Sequence, residues 1–189
     1  MPTWSGTRKR LEQDLLCPAL RGRVQYFLTH YHGAPDHYGR FAVRLDGKEI
    51  VFANPYNEIR IDQVSRQVKA ELGERRNWRA LYEGDRPRYD EIFRLTDARC
   101  MENGVMEIYH FTDALREYLN APISDALSSE NPAVRMFAIV DRRVGKRTLA
   151  RLSGSVGQQP AWLQPLYQAR LAAEGVKIRA SSAIQSPLP

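Results

Sequence analysis

The chain has 189 residues, 43% of them hydrophobic and 26% charged, with a mean hydropathy of −0.51. This is the composition of a globular protein, and no run approaches the ~20 apolar residues that a membrane-spanning helix requires, so no membrane partner is expected. The 28 lysines and arginines outnumber the 22 aspartates and glutamates; the resulting charge of +6 and pI near 9.5 are compatible with an anionic partner, nucleic acid or an acidic protein.

The basic start, Arg8-Lys9-Arg10, is followed by Glu12, Gln13 and Asp14 instead of an apolar segment, so no signal peptide is expected. Ser5 and Thr7 are placed to cap a short helix carrying Leu11, Leu15 and Leu16, stapled by Trp4 and closed by Pro18. From Arg23 the apolar period becomes two, which predicts a strand. A loop over Gly33–Gly39 and a second strand carrying Phe41, Val43 and Leu45 follow. Asp46-Gly47 supplies the positive φ values of a type I′ turn, and Ile50 and Phe52 resume the alternation in a third strand.

Asn57 is placed to cap a helix with Ile61, Val64, Val68 and Leu72 on one face and Gly73 as its stop. The stretch from Glu74 to Tyr89 is charged and turn-rich and receives no assignment. Asn103-Gly104 between the apolar segments Phe93–Met101 and Val105–Phe111 predicts a second hairpin. Thr112 then caps a helix with Leu115, Tyr118 and Leu119 inward, and Pro122 opens a helical turn through Leu127.

The most patterned stretch starts at Asn131-Pro132, a cap followed by proline at the first helical position. Val134, Phe137, Ala138, Val144, Thr148, Leu149 and Leu152 fall on one stripe, and Arg135, Arg142, Arg143, Lys146, Arg147 and Arg151 crowd the opposite arc. Asp141 falls within the stripe, so either the helix bends or ends there or the aspartate is buried against an arginine. Ser153–Pro160 reads as a connector, a last helix carries Trp162, Leu163, Leu166, Tyr167 and Leu171 up to Gly175, and Ala180–Pro189 reads as a disordered tail. The expected architecture is α+β: about five antiparallel strands in two hairpin groups packed against helices, in a single domain over 1–179 with a helical C-terminal half.

Three segments resemble a family of bacterial hypothetical proteins with no assigned function: Trp4-Ser5 with Leu16–Val24, Gly39–Glu49, and Asn131-Pro132 through Asp141–Arg147. The resemblance spans most of the chain, carries over no catalytic residue, and implies a bacterial cytoplasmic protein. Cys17 and Cys100, without a C-x-x-C pair, suit free thiols in such a reducing compartment. Pro132–Ala138 is also similar to a helix of HEAT-like repeats, but no neighbouring unit is visible for it to stack on.

Two constellations could carry function. Arg135, Arg142, Arg143, Lys146, Arg147 and Arg151 could grip phosphates; the competing reading is a solvated face beside a buried Asp141–arginine pair. His30 and His32 share a strand face, and Asp36 or His37 could return from the loop to complete the ligand set of a divalent metal, making the chain a small metal-dependent hydrolase. No other cofactor is implied: there is no G-x-S-x-G, and Gly145-Lys146 lacks the earlier glycine of a phosphate loop. His110 near Asp113 is a further candidate acid–base pair, with a structural histidine as the competing reading. The aromatics Tyr26, Phe27, Tyr31, Tyr38 and Phe41 either stack bases or fill the core. The leading expectation is a non-catalytic binding or accessory protein that presents its basic face to an anionic partner.

Overall fold

The computed structural model of the chain describes residues 3–30, 39–53 and 57–179. Helix α1 (Trp4–Lys9) is capped by Thr3, whose hydroxyl accepts from Gly6 N–H at 3.3 Å, in place of the expected Ser5 and Thr7. It runs into a π-helical turn at Arg10–Leu15 and a 3-10 turn at Pro18–Leu20. Strands β1 (Val24–His30), β2 (Gly39–Leu45) and β3 (Lys48–Phe52) form an antiparallel sheet in sequence order. Asp46 and Gly47 take φ of 51° and 81°, the type I′ geometry expected of that dipeptide. A bulge between Val43 and Arg44 passes over Ile50, so Val51 pairs with Val43 and is the β3 residue that is buried, while Ile50 and Phe52 are half-buried.

Helices α2 (Asn57–Glu71), α3 (Trp78–Gly84), α4 (Arg86–Glu102), α5 (Ile108–Asn120), α6 (Ile123–Ser128), α7 (Pro132–Ile139), α8 (Lys146–Leu152) and α9 (Gln164–Ala173) complete the α+β fold. The expected five strands reduce to three among the described residues, because the second hairpin is not formed. The stretch assigned to its first strand is the end of α4, capped at the other end by Asp85, whose carboxylate accepts from Arg88 N–H at 3.2 Å. Asn103-Gly104 is the stop of that helix. Gly104, at φ 68°, donates to Met101 O at 3.1 Å, and Val105 donates to Cys100 O at 2.8 Å, the paired bonds of a Schellman motif. Val105 makes one parallel bridge to Phe52. Thr112 lies within α5, whose first turn is capped by His110 instead. The expected tail, 180–189, and most of the Gly33–Gly39 loop lie outside the described residues.

The predicted helix over 131–152 is two helices. All of α7 except Arg135 is buried, as suits a helix that is apolar all round. Phe137 is its hub: its ring lies 5.4 Å from Tyr26 of β1, 5.3 Å from Phe111 and 5.4 Å from Tyr118 of α5. Phe111 also stacks on Phe41 of β2 at 4.7 Å, so α5 and α7 together cover the sheet. Tyr26 and Phe41 are therefore core residues. Phe27 is half-buried on the other face, with Arg44 4.4 Å and Arg8 4.8 Å from its ring centre. The 153–160 connector is anchored by buried Ser153 and Val156.

A smaller cluster of Val68, Leu81 and Ile92, with Trp78 and Tyr89 against it, holds α2, α3 and α4 together. Asn57 joins this group to the sheet: its buried amide donates to Met106 O at 2.6 Å and to Phe52 O at 3.2 Å. Gly104 and Gly73 test the helix stops. Both have positive φ, but a Cβ at Gly104 would meet Trp162 at 3.0 Å, whereas one at Gly73 meets nothing within 4 Å. Gly73→Ala is expected to cost about 1 kcal/mol from backbone strain and Gly104→Ala about 2 kcal/mol or more, read from urea unfolding midpoints.

Candidate functional site

The basic residues divide into two groups. Arg135 is structural: it donates to Ser129 O at 2.6 Å, Glu130 O at 2.9 Å and Gln159 Oε1 at 3.1 Å, tying the α6–α7 turn to the connector. Arg143 is held by Asp141, whose carboxylate accepts from Arg143 Nη2 at 2.7 Å, Arg143 Nε at 3.0 Å, the Arg143 backbone N–H at 2.7 Å and the Tyr118 hydroxyl. Asp141 is 1% exposed. Burial and this carboxylate push the Tyr118 hydroxyl pKa upward.

The backbone contact is an Asx turn, an alternative to helix that ends α7 at Ile139 and starts α8 afresh. The same turn binds the N-terminal segment: Cys17 N–H donates to Val140 O at 2.9 Å and Arg142 N–H to Leu15 O at 2.8 Å. Arg170, buried in α9, donates to Val144 O at 2.9 Å. Both expectations for Asp141 therefore hold at once: the helix ends there and the aspartate is buried against an arginine.

Arg142, Lys146, Arg147 and Arg151 make up the second group. All are exposed, and none meets a carboxylate of any described residue; Arg142 Nη1 reaches only Asp14 O at 3.3 Å. Elsewhere Arg8, Arg23, Arg40, Arg44, Arg76 and Arg88 each sit on an aspartate or glutamate. Next to these cations, a groove of about 340 Å³ lies between α6 and α8, with Arg143, Thr148 and Arg151 facing Ser124 and Ser128.

A cleft of about 340 Å³ opens between α2, α3, α4 and the start of α5. At its base His110 Nε2 lies 2.6 Å from Asp97 Oδ1, and His110 Nδ1 accepts from Glu107 N–H at 2.9 Å. That second bond puts the ring proton on Nε2, which donates to the aspartate. With both ring nitrogens engaged, His110 caps α5 and orients Asp97. Tyr109 Oη also donates to Asp97 Oδ1, at 3.0 Å.

The sequence pairing of His110 with Asp113 is corrected: α5 turns Asp113 outward to Arg116, and the partner comes from α4. Asp97 and Tyr109 were missed because they meet only if 86–102 is helical, for which the Asp85-Arg86-Pro87 start was the available signal. Burial pushes the Cys100 thiol up to about 11, which leaves it protonated and unreactive at neutral pH.

Of the candidate metal ligands, His32, Asp36 and His37 lie outside the described residues, as do Tyr31 and Tyr38, and His30 is described only as the end of β1 opposite Gly39. Among the described residues no group of three or more His, Cys, Asp or Glu side chains is placed to hold a metal ion, and no helix is long and apolar enough to cross a membrane.

The model of the SF0329 protein family, a family of unknown function, matches residues 3–171, from α1 to near the end of α9. The chain belongs to this family. No curated protein and no solved structure matches the chain significantly. The stretch that defines the SF0329 membership contains both the Asp141 turn and the acidic cleft.

This geometry sets measurable expectations for stability. Removing one partner of a buried ion pair leaves the others unsatisfied, so Asp141→Ala is expected to lower stability by about 3 kcal/mol. Tyr118→Phe should cost about 1 kcal/mol, both read by chemical denaturation; a loss of only a few tenths for Asp141→Ala would mean that the carboxylate is not a structural anchor. Burial works to raise the Asp97 carboxyl, but the hydrogen bonds it accepts from His110 and from the Tyr109 hydroxyl outweigh it and hold the carboxyl below the usual range. A depressed acid stabilises the fold above its unfolded pKa and loses that contribution as pH falls. The melting temperature of the wild type should therefore fall more steeply than that of Asp97→Asn as pH drops from about 5 to about 3.

Proposed function

We propose that the chain is a non-catalytic binding or accessory protein that grips an anionic partner, nucleic acid first among the candidates, along the edge formed by Arg142, Lys146, Arg147 and Arg151. The observation that carries this reading is the absence of carboxylate partners for these four cations among the described residues, in a chain whose other arginines are mostly paired. Unpaired guanidinium and ammonium groups are free to displace counterions from phosphates, and that release supplies most of the affinity for a nucleic-acid backbone. The groove beside them, which Arg151 also lines, offers Arg143 and the Thr148 hydroxyl as further contacts. Arg135 is not part of this edge, and Arg143 takes part only with the face that Asp141 leaves open; its side chain is 44% exposed.

The setting that goes with this reading is the bacterial cytoplasm, where the buried free thiols of Cys17 and Cys100 stay reduced. A fluorescence anisotropy titration with labelled single- and double-stranded oligonucleotides tests it. Binding should weaken with salt along a logarithmic slope of roughly −3 to −4, as expected for four phosphate contacts. The double variant Arg147→Glu, Arg151→Glu should abolish binding without moving the melting temperature. Absent or salt-independent binding, or an unaffected double variant, would overturn the proposal.

A further inference from the structure

The cleft at the α4–α5 junction is unlike the basic edge in every respect. Its walls are aromatic: Trp78, Tyr89, Phe93 and Tyr109 line it, with Trp78 edge-on to Tyr89 at 5.3 Å and Tyr89 stacked on Phe93 at 6.2 Å. Phe93 is 47% exposed and Tyr109 38%, so both rings are open to a ligand in the cleft. The charged groups of the lining are carboxylates, Glu58, Asp62, Asp97 and Glu107, and among the described residues no lysine or arginine lines it.

Arg66 pairs with Asp62 at the rim, but among the described residues no lysine or arginine is bonded to Glu58, Asp97 or Glu107; Asp97 accepts from the His110 ring. Burial, together with the charges of Glu58 and Asp97, raises the Glu107 carboxyl against the opposing effect of His110, so these groups work against one another within the cleft. A second observation is independent of charge. Thr96, 5% exposed, lines the same cleft, and its hydroxyl has no hydrogen-bond partner although a helical threonine can usually find one. Trp78 and Tyr89 already have cations over their rings, Lys69 Nζ at 5.7 Å and Arg86 at 5.0 Å, whereas among the described residues none lies over Phe93 or Tyr109; these two rings, the carboxylates and the buried orphan hydroxyl lack the same complement, a positively charged group.

We infer that this cleft binds a small organic ammonium ion, seated against the Phe93 and Tyr109 rings with its charge toward Glu58, Asp97 and Glu107. Ring faces attract cations, and a desolvated cation over an aromatic face beside a carboxylate is the arrangement by which alkylammonium groups are recognised. A volume of about 340 Å³ is at the small end for ligand sites, which suits a free amine better than a drug-sized molecule. The cleft is separate from the basic edge on α8, and the two proposals stand or fall independently.

Calorimetric titration of the full chain with butylammonium and with tetramethylammonium tests the inference, alongside 3,3-dimethylbutanol as a neutral control of similar shape. N-acetyl-lysine methylamide, which presents the same ammonium as a peptide side chain would, distinguishes a protein source from a free amine. Saturable binding of the free ammonium ions is expected, with the alcohol silent and the lysine derivative weaker. Glu107→Gln, Glu58→Gln and Phe93→Ala should each weaken binding by about tenfold. The glutamines relieve repulsion and Phe93 is exposed, so all three variants should remain folded, which circular dichroism checks. The inference is overturned by no saturation up to about 20 mM. Equal binding of the neutral alcohol, or variants that bind as the wild type does, would also overturn it, and a tighter lysine derivative would assign the cleft to a peptide.

Discussion

A single carboxylate governs the middle of this protein. Asp141 gathers the Arg143 guanidinium, the Arg143 amide and the Tyr118 hydroxyl inside the core, while the backbone around it pairs with Leu15, Leu16 and Cys17. One turn thus joins the N-terminal segment, α5, α7 and α8. An unpaired charge in such a place would be strongly unfavourable, and the chain avoids that by satisfying both oxygens. The arrangement also sorts the surface: it draws Arg143 inward and breaks the helix, leaving Arg142 on the turn and Lys146, Arg147 and Arg151 on a separate helix facing water.

Around that turn the packing is aromatic. Phe137 touches rings from β1 and α5, and Phe111 extends the contact to β2 and to Trp4 of α1. Three strands suffice because α7 is buried on nearly every side and supplies the surface that further strands would have provided. The α2–α4 group has only a small apolar cluster of its own and is joined to the sheet through Asn57, so its inner side stays partly open. That opening is the cleft.

The meander was legible because the Asp46-Gly47 turn and alternation agree, and α2 because its stripe ends on Gly73. The Asn103-Gly104 dipeptide misled for a physical reason: a hairpin turn and a helix stop both require a residue in the left-handed region, and the dipeptide alone does not say which is closing. Nor did the flanking pattern decide it, since α4 buries only Ile92, Thr96 and Cys100 fully and spends much of its length on arginines and carboxylates. Once α4 was read as a strand, the meeting of Asp97 with His110 could not be seen. The basic cluster was visible from spacing, but which arginines were committed to Asp141 and to the Ser129 carbonyl depended on contacts that spacing does not encode.

Trp162 adds a constraint of a different kind. Its indole N–H donates to Met101 O at 2.9 Å, and its ring lies against Gly104, so the junction that sets Asp97 against His110 is clasped by a residue some sixty positions further along. The core that carries the sheet draws on residues from Leu11 to Leu171, so it is complete only when the segment that bears this clasp is in place. The shape of the cleft therefore depends on a side chain that does not line it.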